Sequence, residues 1–549
     1  MPPRRGRRRG EAAAPSCLDP LSRLNHDVVH MVLSYLDIHD IFRLETVSRT
    51  WRDTVRDWMR RFGTRYLIQP TWHPRRLAEP MKPLPYDEFR MHARTIHRTQ
   101  AGLLCSAHKF EDTAFFSVGG QYAAWVLESD VSNRRRHHYT IYSTPSDIIY
   151  WRSMAAGGPK LAIKTVSAAR LWRVGSSDGV VVKSLLLNED GVLFVSVKYG
   201  YPHAKGERDV VYSLAHDKIL WSRDRDLYSP QTFMPFAIGT SHIYAASYSH
   251  PEQRYVLVAE NFRTEKRRYA SSDLPLNWPL VAYPHFHDFQ SFGIEFARVV
   301  RISNGGEELI LQLKPSGDGS TCEIEIIRGN DGKLLGCVSS TGGTGLNCAA
   351  SHPPTGHVAF TTEVTRLPVK VHALLADFGR YRVFITRRFS CNSSPDGLCL
   401  VALDVVLVHK DWLIRPNYRL ESLVVIDPFN RTAYVSSAQK SSEEHSNSSW
   451  TLWSCPLVRT YDSGLCDAAL GAIPHGLVDT KAAEDSAVVS QCYVLDEGSK
   501  VTLSAKPEKG RKKREALELP EPIGMWYGRV VGGQVSLFLE DDHYILNSV

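Results

Sequence analysis

The chain has no run of about eighteen consecutive apolar residues, the length that a membrane-spanning helix requires, so no such span is expected. Its first ten residues, MPPRRGRRRG, are basic, but no apolar segment follows them, and a secretory leader is not expected. Ten cysteines are scattered along 549 residues. They lack the close pairing of a disulfide framework, and neither Cys391 with Cys399 nor Cys455 with Cys466 has zinc-site spacing. Reduced thiols in the cytoplasm or nucleus are the expectation, with the Asn-x-Ser sites at Asn392 and Asn447 unglycosylated.

Catalytic signatures are equally scarce. TGGTG at 341–345 has no Lys-Ser/Thr behind it, which argues for a glycine-rich turn and against a phosphate-binding loop. His285 and His287 with Asp288 are grouped, but no further ligand is placed by spacing, and surface or loop histidines are the expectation. His137 and His138 follow Arg134, Arg135 and Arg136, which reads as a solvated loop or a small patch for acidic ligands. There is no Gly-x-Ser-x-Gly elbow, no His-Glu-x-x-His and no dinucleotide fingerprint. No metal, cofactor or catalytic residue is assigned.

The formal net charge is +7, but its distribution argues against nucleic acid. Arg4, Arg5, Arg7, Arg8 and Arg9 supply five charges. Lys506, Lys509, Arg511, Lys512, Lys513 and Arg514, less Glu508, supply five more. Setting those ten aside leaves −3 for the rest of the chain. The two basic segments read either as solvated tails or as nuclear-import signals.

What the chain does have begins at residue 21. LSRLNHDVVHMVLSYLDIHDIFRLETVSRTWRDTVRDWMRRFG reads as three short helices. Asn25 is placed to cap the first, with Asp27 in its first turn, where the helix dipole favours negative charge. Asp37 is placed to cap the second, and Ser48 the third, in which Trp51, Val55, Trp58 and Phe62 recur at helical spacing. Gly63 suits the stop. So many large apolar side chains exceed what a unit this small can hide, and a surplus of that kind marks a binding face.

The order of these residues resembles the F-box. That family's pattern is Leu-Pro, an acidic residue, an aliphatic pair, Leu-x-Tyr-Leu, an acidic residue before a second aliphatic helix, then Val-Ser/Cys-Arg/Lys-x-Trp-Arg. It is met here by Leu24, Asp27, Val28-Val29, Leu33-Ser34-Tyr35-Leu36, Asp37, Asp40-Ile41, Leu44 and Val47-Ser48-Arg49-Thr50-Trp51-Arg52. Asn25 stands where the family usually has proline, which loses a preset backbone angle but keeps a capping side chain. The resemblance implies that the segment packs against the Skp adaptor, and through it a cullin-RING core. Its implied contact set is Leu21, Leu24, Val28, Val32, Leu33, Leu36, Ile41, Leu44, Val47 and Trp51. Each of these either touches the adaptor or supports the fold.

From Thr113 the texture changes to short β-rich runs between Gly, Asp, Asn and Pro turns. Hairpins are expected around Thr144-Pro145-Ser146, His216-Asp217, Arg263-Thr264, Asn330-Asp331-Gly332 and Asp427 to Asn430, and again within GRVVGGQVSLFLEDDHYILN. A strand group that recurs every 40 to 55 residues suits β-propeller blades. The expected architecture is multidomain: a small all-α F-box, then a large all-β domain, an irregular six- to seven-bladed propeller. Two stacked β-sandwiches are the alternative. The expected divisions are a disordered basic tail at 1–17, the F-box at 18–63, a connector with a helix (YDEFRMHARTIHRTQ) at 64–112, and the β domain at 113–549. Flexible insertions are expected around 438–450 and 504–522.

On this reading the chain is the substrate-recognition subunit of an SCF-type ubiquitin ligase, non-catalytic itself. Its partners are the Skp adaptor and an unidentified protein substrate, with no membrane. An F-box scaffold without a ubiquitylation role is the alternative, and a propeller enzyme a third. Cytoplasm, nucleus or both are the expected locations.

Overall fold

A computed structural model describes residues 24–36, 38–62, 86–110, 113–119, 122–128, 145–153, 163–172, 180–199, 206–225, 233–249, 254–264, 266–276, 297–301, 308–315, 321–341, 349–352, 357–363, 381–390, 399–409, 418–439, 450–460, 489–495, 498–504, 514–519, 527–531, 534–538 and 543–547. The chain divides into two compact units. One takes Met1–Pro70 with Glu79–His97, and the other takes Thr71–Ala78 with Arg98–Val549.

The first unit is helical. It holds α1 (His26–Tyr35), α2 (Ile38–Leu44), α3 (Arg49–Trp58) and most of α4 (Tyr86–Gln100). The Asn25 side chain caps α1 by accepting from the Asp27 amide at 3.4 Å, and the Ser48 hydroxyl caps α3 by accepting from the Trp51 amide at 3.2 Å. The expected cap at Asp37 and stop at Gly63 lie outside the described residues. Val29, Leu33, Ile41, Val55, Trp58 and Met59 form the core, joined by Ala93 and Ile96 of α4. The sequence reading placed α4 in a connector. Its spacing of small and aliphatic residues instead closes this core as a fourth helix.

The second unit is all-β apart from α5 (Ala168–Trp172). Four antiparallel four-stranded sheets follow one another. They are β3 (Thr113–Gly119), β4 (Tyr122–Glu128), β5 (Pro145–Ser153) and β6 (Lys164–Ser167); β7 (Val180–Leu187), β8 (Val192–Tyr199), β9 (Gly206–Ser213) and β10 (Lys218–Arg225); β11 (Phe233–Ile238), β12 (His242–Ser249), β13 (Arg254–Asn261) and β14 (Lys266–Leu276); β15 (Ala297–Arg301), β16 (Glu308–Pro315), β17 (Thr321–Arg328) and β18 (Leu334–Thr341). In each, consecutive strands are neighbours, which is the strand plan of a propeller blade.

The rest is one larger sheet. It contains β19 (Ala349–His352), β20 (His357–Glu363), β21 (Tyr381–Ser390) and β22 (Cys399–His409), then β23 (Tyr418–Asp427), β24 (Thr432–Gln439), β25 (Trp450–Thr460) and β26 (Val489–Leu495). It ends with β31 (Tyr527–Val531), β32 (Gln534–Phe538) and β33 (His543–Asn547). Parallel pairings of β22 with β26 and of β19 with β31 fuse what would otherwise be separate blades. The first strands of successive groups begin at Thr113, Val180, Phe233, Ala297, Ala349, Tyr418 and Tyr527, so most intervals exceed the expected 40 to 55 residues because long connections lie between the strands.

Closure comes from the beginning of the unit. Ahead of β3 lie β1 (Leu103–Leu104) and β2 (Ser106–Phe110), and β2 pairs antiparallel with the last strand, β33. Phe110 of β2 then packs on Phe116 at 4.9 Å and Trp125 at 5.0 Å, in a core with Ile545. The β unit thus starts ahead of Thr113, and the boundary expected there would remove the closing strand.

Two further expectations are corrected. Pro145 opens β5, which pairs with β4, so the segment around 144–146 is a strand start; residues 141–144 lie outside the described residues. The insertion expected at 504–522 includes ordered strands. After β27 (Ser499–Lys500), β28 (Thr502–Ser504) pairs with β29 (Arg514–Ala516), and β30 (Glu518–Leu519) pairs with β25. Val501 and Leu517 are buried in a core with Trp450 and Leu452, and burial of that apolar area holds these short strands. Residues 440–449 and 505–513 lie outside the described residues. The other hairpins form as expected, with Gly332 at φ 73°, the left-handed region that glycine adopts at no steric cost.

Candidate protein-docking face

The helices of the first unit sort the ten expected contact residues into three groups. Leu33 and Ile41 are wholly buried, so they hold the fold and present no surface. Of the two roles expected for the set, support of the fold is theirs: each faces the interhelical core. Leu36, Leu44 and Trp51 are partly buried and pack against that core. Val28 is half-buried. Leu24, Val32 and Val47 are exposed by 42%, 40% and 61%. Leu21 lies outside the described residues.

Met31 was not expected in the set, yet it is 54% exposed. The signal was readable. Val28, Met31 and Val32 fall at i, i+3 and i+4, one stripe along α1, with Leu24 just ahead of the Asn25 cap, while Val29 and Leu33 point to the opposite side. Val47 follows α2, where Thr46 and Val47 amides donate to the carbonyls of Arg43 and Leu44 at 3.0 and 3.2 Å.

A polar contact buttresses this face from within the unit. The Tyr86 hydroxyl of α4 donates to Glu45 Oε1 at 2.6 Å, and Arg56 lies 3.9 Å from the same carboxylate and 5.2 Å from the Tyr86 ring centre. Burial, and then the hydrogen bond to Glu45, push the Tyr86 phenol pKa upward, so the hydroxyl stays a donor. On the far side of α1, the His26 and His30 Nε2 atoms are 3.1 Å apart, and His30 meets Phe62 edge-on at 4.8 Å. Burial, followed by the neighbouring His26, lowers the His30 pKa, so His30 favours its uncharged form.

Residues 21–62 match the F-box domain. The chain carries an F-box. F-box domains bind the Skp adaptor in SCF complexes, and the exposed stripe of this F-box is apolar surface with no cover from the described residues of its own unit. No curated protein matches the chain.

Solved structures with a similar course include the Dos1 propeller, at 7% identity, TM-score 0.31, over 81% of this chain and 96% of that one. The β-propeller domain of the Trilobed protease from Pyrococcus furiosus aligns at 9% identity, TM-score 0.29, over 63% and 84%. A prolyl endopeptidase structure aligns at 11% identity, TM-score 0.28, over 66% of this chain and only 42% of its own. Likenesses this weak carry no argument; the strand pairing above carries the fold.

In the β unit, charged side chains fasten neighbouring sheets. Asn188 Nδ2 donates to the Gly239 carbonyl at 2.8 Å, joining the second sheet to the third. Arg223 Nη1 reaches both Glu260 carboxylate oxygens at 2.8 Å across the same seam. Glu308 of the fourth sheet accepts from the Thr240 amide at 2.6 Å and the Tyr244 hydroxyl at 2.8 Å. A Cβ at Gly239 would overlap that carboxylate, so glycine is required there by close approach. Arg301 Nη1 donates to Asp190 at 2.8 Å, tying the fourth sheet to the second.

These contacts between sheets are structural, and among the described residues no group of three His, Cys, Asp or Glu is placed to hold a metal. Arg134 to His138, His285 to Asp288, and residues 342–345 of the glycine run lie outside the described residues.

Proposed function

We propose that this chain is the substrate-recognition subunit of an SCF-type cullin-RING ubiquitin ligase. The observation that carries the reading is an F-box whose Leu24, Met31, Val32 and Val47 stay in solvent although its core is complete. Apolar side chains on one face of a small folded unit are stabilised when a partner covers them. The partner is the Skp adaptor, and the β unit binds a protein substrate.

The mechanism then asks for no bond-making residue here. Tethering raises the effective concentration of substrate lysines beside the charged ubiquitin-conjugating enzyme. A β-scaffold suits that role because it holds many connecting loops at fixed positions.

The test is affinity purification of the intact chain beside Leu24→Asp/Val32→Asp/Val47→Asp, with ligase activity blocked. Adaptor and cullin should be lost from the variant, while substrate candidates are kept by both. Full adaptor capture by a folded variant sinks the assignment. A captured partner whose turnover ignores cullin inhibition would instead favour a scaffold role. The basic segments at Arg4–Arg9 and Lys509–Arg514 serve nuclear entry in this reading. Microscopy of a chain neutralised at Arg4–Arg9 and Lys509–Lys513 checks it, and an unchanged distribution rejects it. Arg514 is left in place there because it belongs to β29.

A further inference from the structure

One face of α3, continued into the turn that follows it, gathers arginines in a segment whose total charge is balanced. Residues 24–62 contain six arginines and six carboxylates. Four of the arginines, Arg49, Arg52, Arg56 and Arg60, follow one another at i, i+3, i+7 and i+11, which places them on a single face. That face is opposite the buried Val55 and Trp58 and runs for roughly 16 Å at the helical rise. Asp53 and Asp57 follow one edge of it.

The other arginines of the segment have carboxylates. Arg43 pairs with Asp40 at 3.6 Å and Arg61 with Asp57 at 3.1 Å. Arg56 is held at Glu45 and Tyr86. Arg49 and Arg60 are exposed and form no ion pair with a described residue, and Arg52 is exposed and spends only its Nε, on the Glu45 carbonyl at 3.4 Å. The first turn of α3 has no acidic residue, so Arg49 and Arg52 also sit where the helix dipole disfavours a cation. The arrangement costs the isolated unit electrostatic energy, and an anion on this face would relieve it.

We propose that the arginine face of α3 and of the turn after it, centred on Arg49, Arg52 and Arg60, docks an acidic segment of a partner protein. A nucleic-acid backbone fits less well. The segment is neutral overall, and Asp53 and Asp57 interrupt the continuous positive path that successive phosphates need. A run of aspartate or glutamate side chains needs only bidentate contacts at separate arginines. The inference stands apart from the adaptor reading, because its test uses neither adaptor nor cullin.

The experiment measures binding of a short fluorescent oligoglutamate peptide by anisotropy, at low and at physiological salt, to the full chain neutralised at Arg4–Arg9 and Lys509–Lys513, which serves as the parent. Arg49→Glu/Arg52→Glu/Arg60→Glu should weaken binding by about tenfold, three exposed pairs lost together. Folding is kept, since all three side chains are exposed and the carboxylates at 49 and 52 suit the N-terminal end of α3. Two controls should bind like the parent. One is Lys218→Glu/Arg263→Glu/Lys333→Glu, a charge-matched change on the β unit. The other is Leu24→Ser/Val32→Ser, which alters the apolar surface without adding charge. The proposal is overturned if the parent does not bind the peptide, if the α3 variant binds equally, or if the charge-matched control loses as much. Displacement of the peptide by an oligonucleotide of equal charge at lower concentration would overturn it in favour of a nucleic-acid surface.

Discussion

The two units treat unlike side chains in opposite ways. The helical unit leaves large apolar groups in water: Met31 and Val32 in a stripe, with Leu24 just ahead of it, and Val47. The β unit does the reverse with charge. Asp209 and Asp427 are wholly buried, and the Arg388–Asp404 pair, 2.8 Å apart, is nearly so. Its exposed large apolar residues, Ile163, Leu220, Leu334 and Val458, come from separate strands. A unit with four short helices has too little interior for its apolar side chains, and the remainder is usable by a partner. A unit built of stacked sheets has interior to spare, and can pin its seams with charged pairs whose desolvation is offset by short contacts.

Four measurements would break or sharpen that contrast. The largest effect is expected inside the β unit: Asp404→Ala removes the carboxylate 2.8 Å from the buried Arg388 guanidinium and should cost about 3–5 kcal/mol in denaturant unfolding. A loss below that of an ordinary surface substitution would show that buried charge pairs within the sheet are incidental. Next comes Leu33→Ala in the helical unit, expected to lose about 2–5 kcal/mol because a wholly buried side chain is removed. If the folded unit tolerates it, the division between core and face drawn above is wrong.

The third concerns pH and the closing strand. Burial, and then the Arg152 charge, lower the His108 pKa from 6.5 to about 4. The unfolded chain takes up this proton as pH falls through 6.5, whereas the folded chain takes it up only near 4. Stability from this group is therefore complete above 6.5 and declines across that window on acidification. Denaturation midpoints of the parent and His108→Gln, followed through the window, should diverge in slope, with the parent the more acid-sensitive. The smallest effect belongs to Val47→Ser, which should change stability by no more than about 0.5 kcal/mol while weakening adaptor capture. A large stability loss there would mean that the exposed face is part of the fold.

How much was legible follows from the kind of interaction. The F-box helices were readable because caps and apolar spacing act within a few residues, as Asn25 and Ser48 do here. Met31 was missed although it lies on the same stripe. The hairpins at His216-Asp217, Arg263-Thr264 and Asn330 to Gly332 were readable from turn chemistry. The role of α4 was not, since Tyr86 meets Glu45 across a separation of 41 residues. Nor was β30, whose two residues look like loop until Trp450 and Thr451 are seen to pair with them.

By itself, then, the sequence determined the elements whose energetics are local: three capped helices in F-box order, the β-hairpins and their turn residues, and the placement of the positive excess in two basic segments. Only the tertiary structure decided which apolar residues of the F-box are core and which are face, that α4 completes that core, that β2 closes the β unit against β33, and which sheets share each charged seam. Those outcomes depend on contacts between residues far apart in the chain. Such contacts are set by how whole elements pack, and the identity of neighbouring residues does not encode them.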